Sequence, residues 1–360
     1  MPYYQYLKAV LLILLMNPPA IAQNQPLTAA MRKRTIDSLV AKLEHHYVYS
    51  DVAKKMAKTI RDRVKAHAYD TISNGDVFAK NLTGDLHSVS QDGHLGVDYS
   101  ATLIPHETPG EPPTQQVIDE FRKQGANANY GFRKVEILEG NIGYLKLNAF
   151  WTGDWIKETA AGAMAFLSNT DAIIIDLQDN HGFAPDGVLL MESYFFSDET
   201  HLTDQINNED HTVRQYWTMP VVPGNKLVTK KLYILVSNHT FSAGEDFAYS
   251  MQAQKRATVI GQTTGGGAHG TRPYRLNEHF SASIPFSYSI NPITQTDWEG
   301  KGVQPDIKAL KEQALVQAQI AAIKTMLTEA GISNDRTKYL NDLLSKREKE
   351  LIDIQTGGKK

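Results

Sequence analysis

The stretch LYILVSNHTFSAGEDFAYSMQAQKRATVIG, from Leu232 to Gly261, carries the clearest signal for the fold. Leu232 to Val236 is an unbroken apolar run, the pattern of a strand buried on both faces. Polar residues turn the chain, Ser242 to Gln254 reads as a helix, and Ala257 to Gly261 reads as a second short strand. Strand, helix and strand in succession predict a parallel or mixed sheet covered by helices. In such a sheet, sites form at the carboxyl ends of the strands.

The alternation extends upstream. Ile142 to Leu147 reads as a strand, Trp155 to Leu167 as a helix, Ala172 to Leu177 as another fully buried strand and Val188 to Phe196 as a helix. Before it, Leu27 to His87 is helical: Ile36, Leu39, Val40, Leu43 and Tyr47 recur at three- and four-residue steps, as do Met56, Ile60 and Val64, then Val77, Leu82 and Leu86. Asp76, after Asn74 and Gly75, is the expected cap of the last helix. Gly93 to Tyr99 changes to strand-like alternation. Residues 100 to 129 hold Pro105, Pro109, Gly110, Pro112 and Pro113 and little periodicity beyond Val117, Ile118 and Phe121, so they read as a linker or flap. Gln313 to Leu351 is helical again. The expected domains are a signal peptide at 1–22, a helical bundle at 23–91, a strand plus flap at 92–129, an α/β core at 130–312 and C-terminal helices at 313–360.

The chain has 360 residues, 41% hydrophobic and 21% charged, enough for a large core, and its net charge of -3 is spread along the sequence. That balance argues against nucleic acid or an anionic membrane surface as a partner. Lys8, the apolar run Ala9 to Met16 and the small-x-small Ala20-Ile21-Ala22 predict a signal peptide cleaved before Gln23. Pro18 and Pro19 end any helix before it reaches spanning length. The expectation is an exported protein, periplasmic or extracellular, with no membrane segment after cleavage. The absence of cysteine excludes disulfides, thiolate metal sites and a cysteine nucleophile.

Four short stretches fall at expected strand ends. Ser242-Ala243-Gly244-Glu245 fits a helix capping box, and on spacing alone a cap is the better reading. A serine at a helix start after a buried strand is also a site for a nucleophile, because the helix dipole and free N–H groups favour an alkoxide and an oxyanion there. Gly244 weakens the cap reading, since a glycine in the first turn suits a close backbone approach to substrate better than a helix. Asp176 to Phe183 ends in a glycine turn, either an ordinary connection or a place where a backbone N–H points at a ligand, and His181 within it reads as solvent-facing. Asp92-Gly93-His94 holds one of twelve histidines, and locally such a residue reads as structural or exposed. Trp298 to Asp306 is a glycine-rich loop. No nucleophile elbow of the Gly-x-Ser-x-Gly type, phosphate loop or His-Glu-x-x-His pair is present, and His45 and His46 cannot face one metal from a helix.

Taken together and in order, these stretches resemble the tail-specific (C-terminal processing) serine peptidases, in the branch that contains the tricorn core protease and the interphotoreceptor retinoid-binding protein. The resemblance is most specific from Ser237 to Gly267, and "GNIGYLKL", "IIIDLQDNHG", "MESYFF" and "WEGKGVQPDI" fall at the family's places. It implies a crotonase-like α/β core with an N-terminal helical bundle. It also implies Ser242 as nucleophile and the N–H groups of Ala243 and Gly182 as oxyanion hole, with no metal or cofactor. Processing peptidases use a serine-lysine dyad, but Gly267 stands at the lysine's position. The resemblance therefore points to the tricorn-like arrangement, with His94 as general base and Glu299 orienting it, while Gly93 replaces that arrangement's extra serine. Too few residues separate His94 from Tyr130 for a PDZ domain, so selectivity is expected in segment 100–129, the bundle or the helix at 188–196. The expected function is an exported serine peptidase that cleaves peptide or protein substrates through an acyl-enzyme, with a homo-oligomer as one possible assembly. The alternative is a non-catalytic module that binds hydrophobic ligands, as the retinoid-binding relatives do; a scaffolding exoprotein is a third, weaker reading.

Overall fold

A computed structural model describes residues 26–105 and 113–357. The expected signal peptide lies outside the described residues. Along the chain run helices α1 (Ala29–His46), α2 (Ser50–Lys65) and α3 (Gly75–His87), strand β1 (Gly96–Tyr99) and helix α4 (Gln115–Asn127). Strands β2 (Phe132–Leu138) and β3 (Ile142–Leu147), helix α5 (Gly153–Leu167), strand β4 (Ala172–Asp176) and helix α6 (Pro185–Ser193) follow. Then come β5 (His201–Asn207), β6 (Thr212–Trp217), β7 (Lys231–Val236), α7 (Ala243–Ala253), β8 (Thr258–Gly261), β9 (His269–Arg275) and β10 (Phe280–Ile290). The short β11 (Ile307–Lys308) and helices α8 (Ala314–Met326) and α9 (Asn334–Gln355) close the order.

The chain divides into two compact units, and neither is continuous in sequence. The first takes residues up to Phe121 together with 204–214 and 269–290. Helix α1 begins after Thr28, whose hydroxyl accepts the Met31 N–H at 3.1 Å. Helix α3 is capped by Asn74, which accepts the Val77 N–H at 3.0 Å; Asp76, expected as the cap, lies inside the first turn, because the shorter reach from Asn74 meets the third helical amide. Leu39, Leu43, Met56, Ile60, Phe78 and Leu82 are fully buried. Three amphipathic helices leave one face of such a cluster open. The β9–β10 hairpin closes it with Leu276, Phe280, Ala282 and Ile284. Strand β10 pairs antiparallel with β1, with β9 and with residues 204–207 of β5.

The second unit holds residues 122–203, 215–268 and 291–360. Its six-stranded sheet has the order β11-β8-β7-β4-β3-β2; β2 is antiparallel to β3 and the other neighbours are parallel. Successive residues of a strand face opposite sides. Ile173, Ile175, Ile234 and Val236 therefore pack with residues of α5, α6 and α7 on one face, while Ile174, Tyr233 and Leu235 pack with α8 and α9 on the other. The helical run at 313–351 is two helices, since Gly331 takes φ +81 and Ser333 restarts the helix by accepting the Arg336 N–H at 3.2 Å. Parallel β4, β7 and β8 bring their carboxyl-end turns to one edge of the sheet. Among the described residues no helix is long and apolar enough to cross a membrane.

Glu192 on α6 is 3% exposed, with one carboxyl oxygen buried and without a hydrogen-bond partner among the described residues. Burial, reinforced by the charge of Asp246, pushes its carboxyl well above the usual carboxylate range. Folding therefore favours the protonated acid, and this contribution is lost as pH rises through the folded-state value. Glu192→Gln, which mimics the neutral acid, should be at least as stable as the wild type at pH 7, with an advantage that grows toward alkaline pH; urea denaturation across pH checks this, and a variant less stable at every pH would refute it.

Candidate active site

The turn after β7 is fastened to the turn after β4. Thr240 donates its hydroxyl to the Leu177 carbonyl at 2.8 Å, Ser237 donates to Gln178 at 2.5 Å, and the Phe241 N–H donates to the Asn180 carbonyl at 2.9 Å. Asn180 is fully buried; its amide donates to the Leu147 carbonyl at 2.9 Å and its side-chain oxygen accepts the Gly182 N–H at 2.8 Å. This explains Gly244. A Cβ there would stand 2.8 Å from the Asn180 side-chain oxygen, so the close approach that the sequence suggested for substrate is made instead by Asn180.

Ser242 has φ 55 and ψ -124, a conformation that non-glycine residues adopt only under constraint. Such strain costs on the order of 1–3 kcal/mol and gathers at sites where the chain must present a side chain in one direction. The expected capping box with Glu245 is present. Its carboxylate accepts the Ser242 N–H at 2.9 Å, while the Glu245 and Asp246 N–H groups are met by the Ser242 carbonyl at 2.8 and 3.0 Å. The Ser242 backbone carbonyl thus also serves the first helix donors. Cap and nucleophile are compatible here.

Gly182 also lies in the left-handed region, at φ +85, and a Cβ on it would fall 2.6 Å from the Ala243 nitrogen and 2.7 Å from the Ser242 Cβ. The two backbone segments expected to form an oxyanion hole are therefore packed directly together. The Gly182 N–H, however, is held by Asn180 in this state. Next to it stands an aromatic group: Phe183 lies 5.1 Å from Trp151, which in turn is 5.9 Å from Tyr130 and 6.4 Å from Trp155. His181 is exposed, as its loop position suggested.

Glu245 is fully buried and does more than cap. Besides Ser242 it accepts the hydroxyl of Thr264 and the N–H groups of Gly266 at 2.7 Å and Gly267 at 2.8 Å. Burial raises its carboxyl above the usual range, and these hydrogen bonds oppose that shift. The same glycine turn reaches Glu299: the Ala268 N–H donates to its carboxylate at 2.6 Å, the Trp298 indole donates to the Gly267 carbonyl at 2.8 Å, and the Gly300 N–H donates to Gly266 at 2.9 Å. Gly267 offers only backbone, and both its polar groups are engaged.

Ser242, Ala243, Gly182 and Glu299 belong to one unit and His94 to the other. The His94 side chain is 9% exposed, and burial pushes its imidazole down to about 4, with the nearby charge of Asp92 opposing the shift. Asp92 bonds to His269, a residue to which the sequence reading gave no role. His46 pairs with Glu209 at 2.6 Å. If strain is stored at Ser242, then Ser242→Gly, which removes the Cβ penalty, should raise stability by about 1 kcal/mol after the entropy of glycine is offset. Urea midpoints check this; a less stable glycine variant would show that the backbone is relaxed.

Two family models match the chain. One, described as peptidase family S41, covers residues 141–309, and the other, the N-terminal domain of peptidase S41 in eukaryotic interphotoreceptor retinoid-binding protein, covers 20–139. The chain is 26% identical over 159 residues to the tail-specific protease of Haemophilus influenzae, covering 42% of this chain and 21% of that one. It is 25% identical over 186 residues to the chloroplastic carboxyl-terminal-processing peptidase 1 of Arabidopsis thaliana, covering 51% and 36%. The aligned part is well under two thirds of either relative. A solved protein from Parabacteroides merdae shares the fold with a TM-score of 0.55 at 17% identity, over 84% of this chain and 99% of that one. A lipoprotein from Streptococcus agalactiae does so with a TM-score of 0.51 at 12% identity, over 82% and 96%. With the two models matching consecutive stretches from residue 20 to residue 309, this chain belongs to peptidase family S41.

Proposed function

We propose that the protein is an exported serine peptidase that hydrolyses peptide bonds through an acyl-enzyme on Ser242. The observation that carries this reading is the strained Ser242 backbone at the start of α7, packed against Gly182 and tied to a buried carboxylate. A helix cap alone has no need of that conformation. Neutral His94 takes the hydroxyl proton as Ser242 attacks the substrate carbonyl, Glu299 stabilises the resulting imidazolium, and the proton passes to the leaving amine. Water then releases the acyl group by the same route in reverse. The Ala243 N–H is the first oxyanion donor. Gly182 becomes the second when its N–H exchanges Asn180 for the oxyanion, and each such donor is worth about 2.7–4 kcal/mol of barrier. Membership of a peptidase family supports peptides or proteins as substrates. Export rests on Lys8, the apolar run and Ala20-Ile21-Ala22.

The test is incubation of the mature protein and of Ser242→Ala with a mixed peptide library, read by mass spectrometry. Cleavage by the wild type, lost in the variant, is the expected result. No cleavage, or equal cleavage by both, would refute the mechanism, and no cleavage would favour a hydrophobic-ligand-binding module instead.

The pH dependence follows from His94. The base works only when neutral, so the acid limb of kcat/KM should have its midpoint below the ordinary 6.5 and toward 4. The same depression makes the unfolded chain bind more protons than the folded one between those values, so folding stability also falls as pH drops through that window. An acid limb at or above 6.5 would contradict His94 as a base in this environment.

A further inference from the structure

We infer that Asp92 is a positioning residue for His94: one carboxylate oxygen, fixed by His269 and Tyr47, anchors the group, and the other holds the histidine's loop and faces its ring. The inference rests on the proposed role of His94 as general base. The anchoring oxygen accepts from His269 Nδ1 at 2.7 Å and from the Tyr47 hydroxyl at 3.2 Å. Tyr47 is held in turn by Ser90, 2.9 Å away. The second oxygen accepts the His94 backbone N–H at 3.0 Å, and the Leu95 N–H closes the turn on the Asp92 carbonyl at 3.2 Å. That second oxygen is also 4.0 Å from His94 Nδ1, too far for a direct hydrogen bond but near enough for a strong charge interaction where water is excluded.

The side chains of Asp92 and His269 are each 2% exposed. A buried carboxylate is unfavourable unless paired, so it is retained only with compensation. A turn at residues 92–95 needs nothing more than a side-chain acceptor, which asparagine supplies as well. The charge and the second histidine exceed that need. Burial raises the Asp92 carboxyl, but the hydrogen bond and charge of His269, with the contributions of His94, bring it below its usual value, so it stays ionised. Its charge then opposes the burial that depresses His94, while the charge of His269 acts the other way. The groups that set the basicity of His94 are thus Asp92, His269 and, in the proposed mechanism, Glu299. Tyr47 acts on Asp92.

Asp92 raises and His269 lowers the His94 value, which gives a test with opposite signs. The full chain, labelled with carbon-13 histidine and with His94 assigned through His94→Gln, is titrated by NMR as wild type, Asp92→Asn and His269→Gln. Asp92→Asn keeps an acceptor for the His94 N–H and removes only the charge, so the His94 midpoint should move to lower pH by about one unit. His269→Gln keeps a donor to Asp92 and removes the imidazole that lowers the His94 value, so the midpoint should move to higher pH. Kinetically, Asp92→Asn should lower kcat about tenfold with KM unchanged. An unchanged midpoint in both variants, or shifts in the same direction, would overturn the inference by showing a loosened fold rather than a lost counter-charge. If Asp92→Asn does not fold, Asp92→Glu, which keeps the charge but displaces it from the His94 loop, takes its place: a moved His94 midpoint supports the inference and an unchanged one overturns it. If even the wild type fails to cleave peptides, the base role falls, while the midpoints still decide whether Asp92 governs His94.

Discussion

The carboxylate of Glu245 is the constraint on which the geometry of Ser242 depends. It is fully buried, and it collects one donor from Ser242 and three from the turn at 264–267. Burying a carboxylate is costly, and an arrangement in which every lone pair finds an N–H or O–H is what makes it tolerable. The consequence is rigidity: the residue three positions into α7 fixes both the backbone that presents Ser242 and the glycine turn beyond β8. A strained serine persists only where its surroundings over-determine it. Glu245 supplies that over-determination on one side of Ser242 and Asn180 on the other, through the Phe241 N–H and the contact with Gly244.

The glycine turn is used from both of its edges. Its N–H groups point at Glu245, while the Gly267 carbonyl, the Ala268 N–H and the Gly266 carbonyl engage Trp298, Glu299 and Gly300. Glycine is required at its centre, because Gly266 has φ +84 and lies 3.1 Å by its would-be Cβ from the Gly302 nitrogen. One consequence is that Ser242 and Glu299, distant in sequence, are held to the same few peptide groups. The turn at 264–268 carries no ionisable side chain and acts as a brace between α7 and the loop at 298–300, and the base in the proposed mechanism is His94.

Much of the α/β unit was legible because its central strands are buried on both faces: the runs at Ala172 to Asp176 and Leu232 to Val236 admit no other reading, and the structure finds them as adjacent parallel strands. The composition of the first unit was not legible in the same way. Phe280, Ala282 and Ile284 alternate with Ser281 and Ser283, a strand signal that could have been found, but its pairing with Gly96 to Tyr99 is a long-range choice that periodicity does not encode. Segment 100–129 read as linker because of its prolines, yet α4 forms after the last of them. At the site, Ser242, Gly182 and Glu299 were nominated by the family resemblance, because locally they read as a cap, a turn and a loop. Asn180 and His269 were missed because their importance lies in what they hold, and Asp92 was quoted only as the neighbour of a histidine. The positive φ of Ser242 has no sequence signature at all, since serine rarely adopts it and no glycine or asparagine marks the spot.

The most direct measurement of whether Ser242 is primed as a nucleophile is its reaction with a fluorophosphonate, followed by intact-mass and peptide-level mass spectrometry. A single adduct on Ser242, formed by the folded wild type and lost when His94 is replaced by glutamine, is the predicted result. No adduct, or labelling scattered over other serines at rates indifferent to His94, would contradict it.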